Sequence, residues 1–318
     1  MLSLNDFREK QILFVQNSRD GETEIKFRND NVVYLKGGKI VNQISCYKVL
    51  AIFMIGDASF TTVFLRKSVE FGISIFLMKN NFENYISIES KAEGNYLLRM
   101  KQYEKESDLE IAKKIVENKM INQSRLICKE KKSDMNEYKK ATQAIIEKVY
   151  SVKDEKELLG IEGNFSKNFF ADYFGGIGWY KRSPRTKVDE HNLLLDMGYT
   201  FLLNYVDSLL RLYGFDVYKG YYHKLFFKRK SLSCDIMEPF RCIIDKQLLK
   251  SFHLKQINKK DFKFVDGHFY LDYEKSKKYA DIFLKGILEH KEEIFNFIYD
   301  FYRYTMDNSK KFPFFEIK

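Results

Sequence analysis

The first ninety residues alternate apolar and polar positions in short runs broken by turn residues, which is the pattern of small strands. "QILFV" (11–15) leads into the polar stretch "NSRDG" (17–21), read as a turn. "TEIKFRN" (23–29) and "NVVYLKG" (31–37) each alternate, and Gly37-Gly38 marks a tight hairpin before "KIVNQIS" (39–45). "VLAIFMIG" (49–56) is unbroken apolar, as expected of a strand covered on both faces. In "DASFTTVFLRKSVEFG" (57–72), Phe60, Val63, Phe64 and Phe71 fall at helical spacing. Asp57 or Ser59 would cap that helix, and Gly72 suits the position just past its end. "ISIFLM" (73–78) returns to strand, and "YISIES" (85–90) reads as a possible last one.

Beyond about residue 90 the period changes. Residues 95–157 contain neither glycine nor proline, and Lys/Glu-rich stretches with periodic apolar positions predict long helices, most clearly "LEIAKKIVENKMI" (109–121). The charged tract "KEKKSDMNEYKK" (129–140) reads as a solvated face or a loop between helices. Gly175-Gly176, Gly214, Gly220 and Gly267 punctuate the rest. The expected organisation is α+β: a small β-rich N-terminal domain over residues 1–90, then a larger all-α domain over 91–318.

Two helical stretches carry unusual chemistry. "LLGIEGNFSKNFFADYF" (158–174) places Leu158, Ile161, Phe165, Phe169 and Tyr173 on one stripe, with Glu162 beside it between Gly160 and Gly163. Two helical glycines cost about 1 kcal/mol each against alanine. Close approach of another backbone or a bulky ligand would offset that, although an ordinary glutamate on a tightly packed helix remains open. In "RKSLSCDIMEPFRCIIDKQLL" (229–249), Leu232, Ile236, Phe240, Ile243, Ile244 and Leu248 repeat helically. If 232–249 is one helix, Asp235 and Glu238 face the same way, with Pro239 starting or kinking it. Paired carboxylates repel, so a proton, a cation such as Arg241 or a metal ion should compensate them. His223 would join Glu162 and Glu238 in a set of one imidazole and two carboxylates, which suits Mg²⁺ or Mn²⁺ better than zinc.

Bulk properties narrow the partners. The 318-residue chain carries net charge +10, which favours a polyanion such as nucleic acid. The N-terminus lacks the apolar core of a signal peptide, and no uncharged stretch is long enough to span a bilayer. Four cysteines (Cys46, Cys128, Cys234, Cys242) stand far apart without CxxC spacing, so a reduced cytoplasmic protein is expected. Absence of GxxxxGK[ST], GxGxxG and GxSxG leaves nucleotide-hydrolysing, dinucleotide and α/β-hydrolase chemistry without support.

These segments, with "RSPRTKVDEHNLLLDMGYTFLLNYV" (182–206) and "GFDVYKGYYH" (214–223) between them, resemble in order the CRISPR-associated integrase of spacer acquisition, the "Cas-one" endonuclease family. "IGDASFTTVFLRKSVEFGISIFLM" (55–78) is similar to that family's N-terminal domain, so the likeness spans essentially the whole chain. Phe165-Ser166 and Cys234 depart from its usual pattern. The resemblance implies metal ligands at Glu162, His223 and Glu238, with Asp235 as a supporting acid at the catalytic site. It implies a homodimer that joins a small "Cas-two" partner and binds duplex DNA, inserting protospacer DNA by attack of a 3′-hydroxyl on a phosphodiester. Candidate phosphate contacts are Arg182, Arg185, Lys187, Lys224, Lys228, Arg229, Lys230 and Arg241. A stand-alone metal nuclease, or a non-catalytic DNA-binding module whose acids merely pair with cations, are the alternatives.

Overall fold

The computed structural model describes all residues except 1–3, 17–22, 80–82, 91–93, 106–107, 133 and 308. The turn expected at 17–21 therefore lies outside the described residues, as does part of the stretch at the expected domain boundary. A short helix α1 (Leu4–Glu9) precedes the strands β1 (Gln11–Gln16), β2 (Thr23–Arg28), β3 (Asn31–Lys36), β4 (Lys39–Ser45) and β5 (Val49–Ile55). Helix α2 (Thr62–Glu70), β6 (Ser74–Met78) and β7 (Asn84–Ile88) follow.

The strands form two sheets. The first has the order β1-β5-β6-β7, with β1/β5 and β5/β6 parallel and β6/β7 antiparallel; the second is the antiparallel meander β2-β3-β4. Every residue of β5 is buried, as its unbroken apolar run predicts. Ala51, Phe53 and Ile55 point into the core shared with the helices, whereas Ile52 and Met54 join Ile25, Val32 and Phe64 on the other face. The strand alternation thus ties both layers together. Helix α2 starts later than its cap candidates suggested: Thr61 is the N-cap and accepts from the Phe64 N–H, so neither Asp57 nor Ser59 caps it. Gly72 does stand just past the end, with φ of 69°.

The helical portion runs through α3 (Tyr96–Tyr103), α4 (Asp108–Glu130), α5 (Met135–Ser151), α6 (Glu155–Phe174) and α7 (Glu190–Tyr213). It continues with α8 (Ser231–Met237), α9 (Arg241–His253), β8 (Phe262–Val265), β9 (His268–Leu271), α10 (Tyr273–Glu289) and α11 (Lys291–Met306). The expected all-α character needs one correction. β8 and β9 pair as an antiparallel hairpin through Gly267, whose φ is 81°. Their alternation covers only four residues each, too short to compete with helical periodicity in the sequence.

α7 is the axis of this part, buried over most of its length. α4 packs beside α5 and α6 and is clamped by the extended C-terminal tail. Asn118 and Asn122, one helical turn apart, exchange hydrogen bonds of 2.6–2.9 Å with the backbone of Phe315 and Ile317. Both side chains act as surrogate backbone groups, so the face of α4 between them is held rigidly. No helix among the described residues is long and apolar enough to cross a membrane.

Candidate active site

Four pieces of chain meet at the site: α4, α6, the loop 214–230, and the α8–α9 corner. The loop starts where Gly214 ends α7 in the left-handed conformation, φ 88°. Gln102 of α3 then pins it, donating to the carbonyls of Asp216 and Lys219 and accepting from the Asp216 N–H. Lys219 adds an ion pair to Asp108 of α4 at 2.9 Å.

Asp235 shapes the end of this loop. Its fully buried carboxylate accepts the backbone N–H groups of Tyr221 (2.6 Å), Tyr222 (3.0 Å) and His223 (2.9 Å). It also faces the His223 ring, Nδ1 to Oδ1 at 2.6 Å. A carboxylate can only accept, so Nδ1 carries the proton, and in the neutral ring Nε2 keeps its lone pair for another partner. Gly220 makes this geometry possible. A Cβ there would stand 2.8 Å from Asp235 Oδ2, from the His223 carbonyl oxygen and from the Ser231 carbonyl carbon.

Of the alternatives open for 232–249, the structure has a break at Pro239. Residues Glu238–Phe240 form a 3-10 turn between α8 and α9, because proline has no N–H to give an α-helical bond. This bend separates the two acids. Asp235 serves the loop, and Glu238 turns to Lys119 and Arg241.

Glu162 comes from α6, whose first turn is capped by Asp154 accepting from the Glu157 N–H. Lys119 of α4 lies between the two glutamates, Nζ 2.5 Å from Glu162 Oε1 and 2.7 Å from Glu238 Oε2. Ser166 donates to Glu162 Oε1 at 2.7 Å, and the Tyr222 hydroxyl lies 3.4 Å from Oε2. Arg241 holds Glu238 Oε1 at 2.9 Å while its guanidinium stacks 4.7 Å over the Tyr199 ring. Burial pushes the Glu238 carboxyl up, but Arg241, Lys119 and His223 outweigh it and hold it down at about 2. Burial likewise raises Glu162, and Lys119 reverses this to leave it low. Lys119 itself, pushed down by burial, is lifted above its usual value by Glu238 and Glu162. Both acids are therefore ionised and Lys119 is charged across the neutral range.

Among the described residues no three His, Cys, Asp or Glu side chains converge tightly enough to hold a metal ion with Lys119 in this position. The donor set nonetheless fits a hard divalent cation. Glu238 Oε2 is buried and, apart from its ion pair, has no hydrogen bond. The lysine ammonium stands where a cation between two carboxylates would stand, and His223 contributes to the field at Glu238. Lys119 is the functional candidate that sequence reading missed. It falls at helical spacing with Ala112, Ile115, Val116 and Gln123, all buried. A lysine on the apolar stripe of a helix was the available signal.

Gly160 and Gly163 have no atom within 4 Å of the place a Cβ would take, so no packed backbone within this chain accounts for them. Among the candidate phosphate contacts, Arg182 is tied to Asp196 (2.5 Å), Lys224 to Glu155 and Lys230 to Asp207 (3.0 Å). Arg185 and Lys187 lie in left-handed backbone beside them, φ 65° and 50°. Lys228 and Arg229 are exposed and make no ion pair among the described residues.

A family model described as "CRISPR associated protein Cas1" matches residues 19–285. The chain is 24% identical over 291 residues to the "CRISPR-associated endonuclease Cas1 1" of Thermodesulfovibrio yellowstonii, covering 85% of this chain and 90% of that protein. Two of the solved structures that share its fold illustrate the likeness. One is a partial Cas6-RT-Cas1–Cas2 complex, with TM-score 0.73, 20% identity and coverage of 97% and 100% of the two chains. The other is a casposase bound to integration product, with TM-score 0.72, 18% identity and coverage of 96% and 92%. The chain belongs to the CRISPR-associated Cas1 family.

Proposed function

We propose that this chain is a divalent-metal-dependent DNA integrase and endonuclease of CRISPR adaptation. The observation that carries the reading is a pair of buried, ionised glutamates drawn onto one cation, beside an imidazole whose outer nitrogen is left free. Glu162, His223 and Glu238 would hold Mg²⁺ or Mn²⁺, which would supply Lewis-acid chemistry to an attacking hydroxyl and the phosphate. Asp235 fixes the His223 ring and its tautomer. Lys119 and Arg241 keep the two glutamates from repelling each other apart while the site is being loaded.

In the reaction, the 3′-hydroxyl oxygen of a protospacer end bonds to phosphorus at the repeat boundary. The bond from that phosphorus to the 3′ oxygen of the nucleotide preceding the repeat breaks, the hydroxyl proton passes to water, and the leaving oxygen takes one up. One phosphodiester replaces another, so no nucleotide triphosphate is needed. With water in place of the hydroxyl the same site cuts. The chain works as a homodimer on duplex DNA together with a small Cas2-type partner; for the DNA and the partner the support is that a casposase on its integration product and a Cas1–Cas2 complex share its fold. Lys228 and Arg229, with Arg185 and Lys187, hold the phosphates.

The test is integration of a short duplex into a plasmid carrying a repeat, with and without the partner and a chelator. Glu238→Gln and His223→Ala are expected to abolish joining while DNA binding survives. Joining at the wild-type rate by either variant, or in chelator, would refute the metal assignment.

A further inference from the structure

We propose that Tyr199 is a positioning residue: its ring holds the Arg241 guanidinium in a one-point contact with Glu238, so that Glu238 Oε2 stays turned toward a cation between the two glutamates. The proposal rests on the metal reading above.

A guanidinium beside a carboxylate ordinarily closes a fork of two parallel N–H···O bonds. This pair does not. Arg241 Nη2 lies 2.9 Å from Glu238 Oε1, while Arg241 Nε is buried and has no hydrogen-bond partner among the described residues. Glu238 Oε2 is the matching acceptor, also buried and, apart from its ion pair with Lys119, without a hydrogen bond. Donor and acceptor of the missing bond therefore belong to one ion pair. Buried polar groups are normally satisfied, so something outside the pair keeps the fork open.

Tyr199 meets that need. It is buried on α7, and the Arg241 guanidinium carbon lies 4.7 Å from its ring centroid. A guanidinium within about 6 Å of a ring is attracted to it, which resists the rotation that a fork requires. The ring itself cannot follow. Its hydroxyl donates to Asp245, fully buried on α9, and the Arg182 guanidinium lies 5.7 Å from the same centroid. Arg182 is fixed in turn by Asn192 (2.8 Å) and Asp196 (2.5 Å), both on α7. Arg182, a candidate phosphate contact from its sequence, thus belongs to this brace.

The consequence lies in which oxygen remains. With the fork open, Oε2 faces the Lys119 ammonium at 2.7 Å, where a divalent cation would also be held. With the fork closed, Arg241 shares Oε2 and competes with that cation. Loss of the ring therefore weakens metal binding through Arg241.

The experiment is Mn²⁺ titration of the full chain by calorimetry for wild type, Tyr199→Leu and Tyr199→Phe, with joining and melting measured alongside. Tyr199→Leu should weaken the Kd at least about 10-fold and raise the Mn²⁺ needed for half-maximal joining by the same factor. Tyr199→Met takes its place if that variant fails to fold. Tyr199→Phe keeps the ring on Arg241 and gives up only the Asp245 anchor, so it should lose at most about 3-fold. Leu210→Ala, at a fully buried position about three turns further along α7, should melt lower without moving the Kd. In an Arg241→Lys background Tyr199→Leu should cost no Mn²⁺ affinity, because an ammonium is a point charge that forms no fork. An unchanged Kd in Tyr199→Leu, equal losses for Leu and Phe, the same loss in Leu210→Ala, or a full loss in the Arg241→Lys background would each overturn the role of Tyr199 while leaving the metal reading intact. If wild type took up no Mn²⁺, the metal reading itself would fall, and the positioning role with it.

Discussion

Asp235 holds His223 twice, through the backbone N–H at 2.9 Å and through ring Nδ1 at 2.6 Å, both on Oδ1. One carboxylate therefore sets where the imidazole stands and which nitrogen it offers. Asp235→Asn would put an amide N–H₂ against N–H donors and release the ring. We expect strand joining to fall about 10- to 100-fold with DNA binding retained. A joining rate equal to wild type, or an unchanged Nδ1–H tautomer by ¹⁵N NMR, would contradict the assigned role.

Lys119→Met leaves Glu162 and Glu238 facing each other without their shared ammonium. Breaking a buried ion pair by removing one partner costs about 3–5 kcal/mol, so the metal-free variant should melt well below wild type. Mn²⁺ should restore part of that loss and raise the melting temperature more for the variant than for wild type. Equal Mn²⁺ shifts for the two proteins would show that Lys119 and the metal do not share a place.

Gly220→Ala tests the crowding behind the site. A methyl group 2.8 Å from Asp235 Oδ2 and two backbone atoms cannot be accommodated without moving the loop. A loss of about 1–3 kcal/mol in denaturant unfolding is expected, accompanied by loss of joining. By contrast Gly160→Ala and Gly163→Ala meet open space and should stabilise α6 by up to about 1 kcal/mol each. A loss of DNA binding in either of them would place the nucleic acid against that face of α6.

Asp245 and Glu238 respond to pH in opposite senses. Burial lifts the Asp245 carboxyl from 3.8 to about 6, against the hydrogen bond from Tyr199 and the charge of Arg241. A raised carboxyl stabilises the fold while protonated, so its contribution is present below pH 3.8 and lost as pH rises through about 6. Asp245→Asn keeps an acceptor for Tyr199 and removes the charge. Above pH 7 it should gain on the order of 3 kcal/mol over wild type, and little near pH 4. Glu238 is the reverse case, held at about 2 against an unfolded value of 4.5. Its stabilisation is present above pH 4.5 and lost as pH falls toward 2. Melting curves of wild type, Asp245→Asn and Glu238→Gln across this range check both signs.

Periodicity alone determined most of the elements. The alternating runs at 23–45, the unbroken run of β5 and the glycine-free stretches of α4 and α5 are local patterns, and local patterns are written in the chain. The family was also legible, because four ordered blocks around Glu162, His223 and Glu238 survive as sequence. What the tertiary structure decided is how those residues use one another. Pro239 breaks the helical run, so Asp235 and Glu238, three positions apart, face different partners. Lys119 enters from a helix more than forty residues before Glu162, and nothing in the spacing of "KMINQ" announces that its ammonium lies between two glutamates. Sequence specifies period and residue type. The pairing of buried charges depends on which faces the packed helices turn toward each other, and only the assembled core sets that.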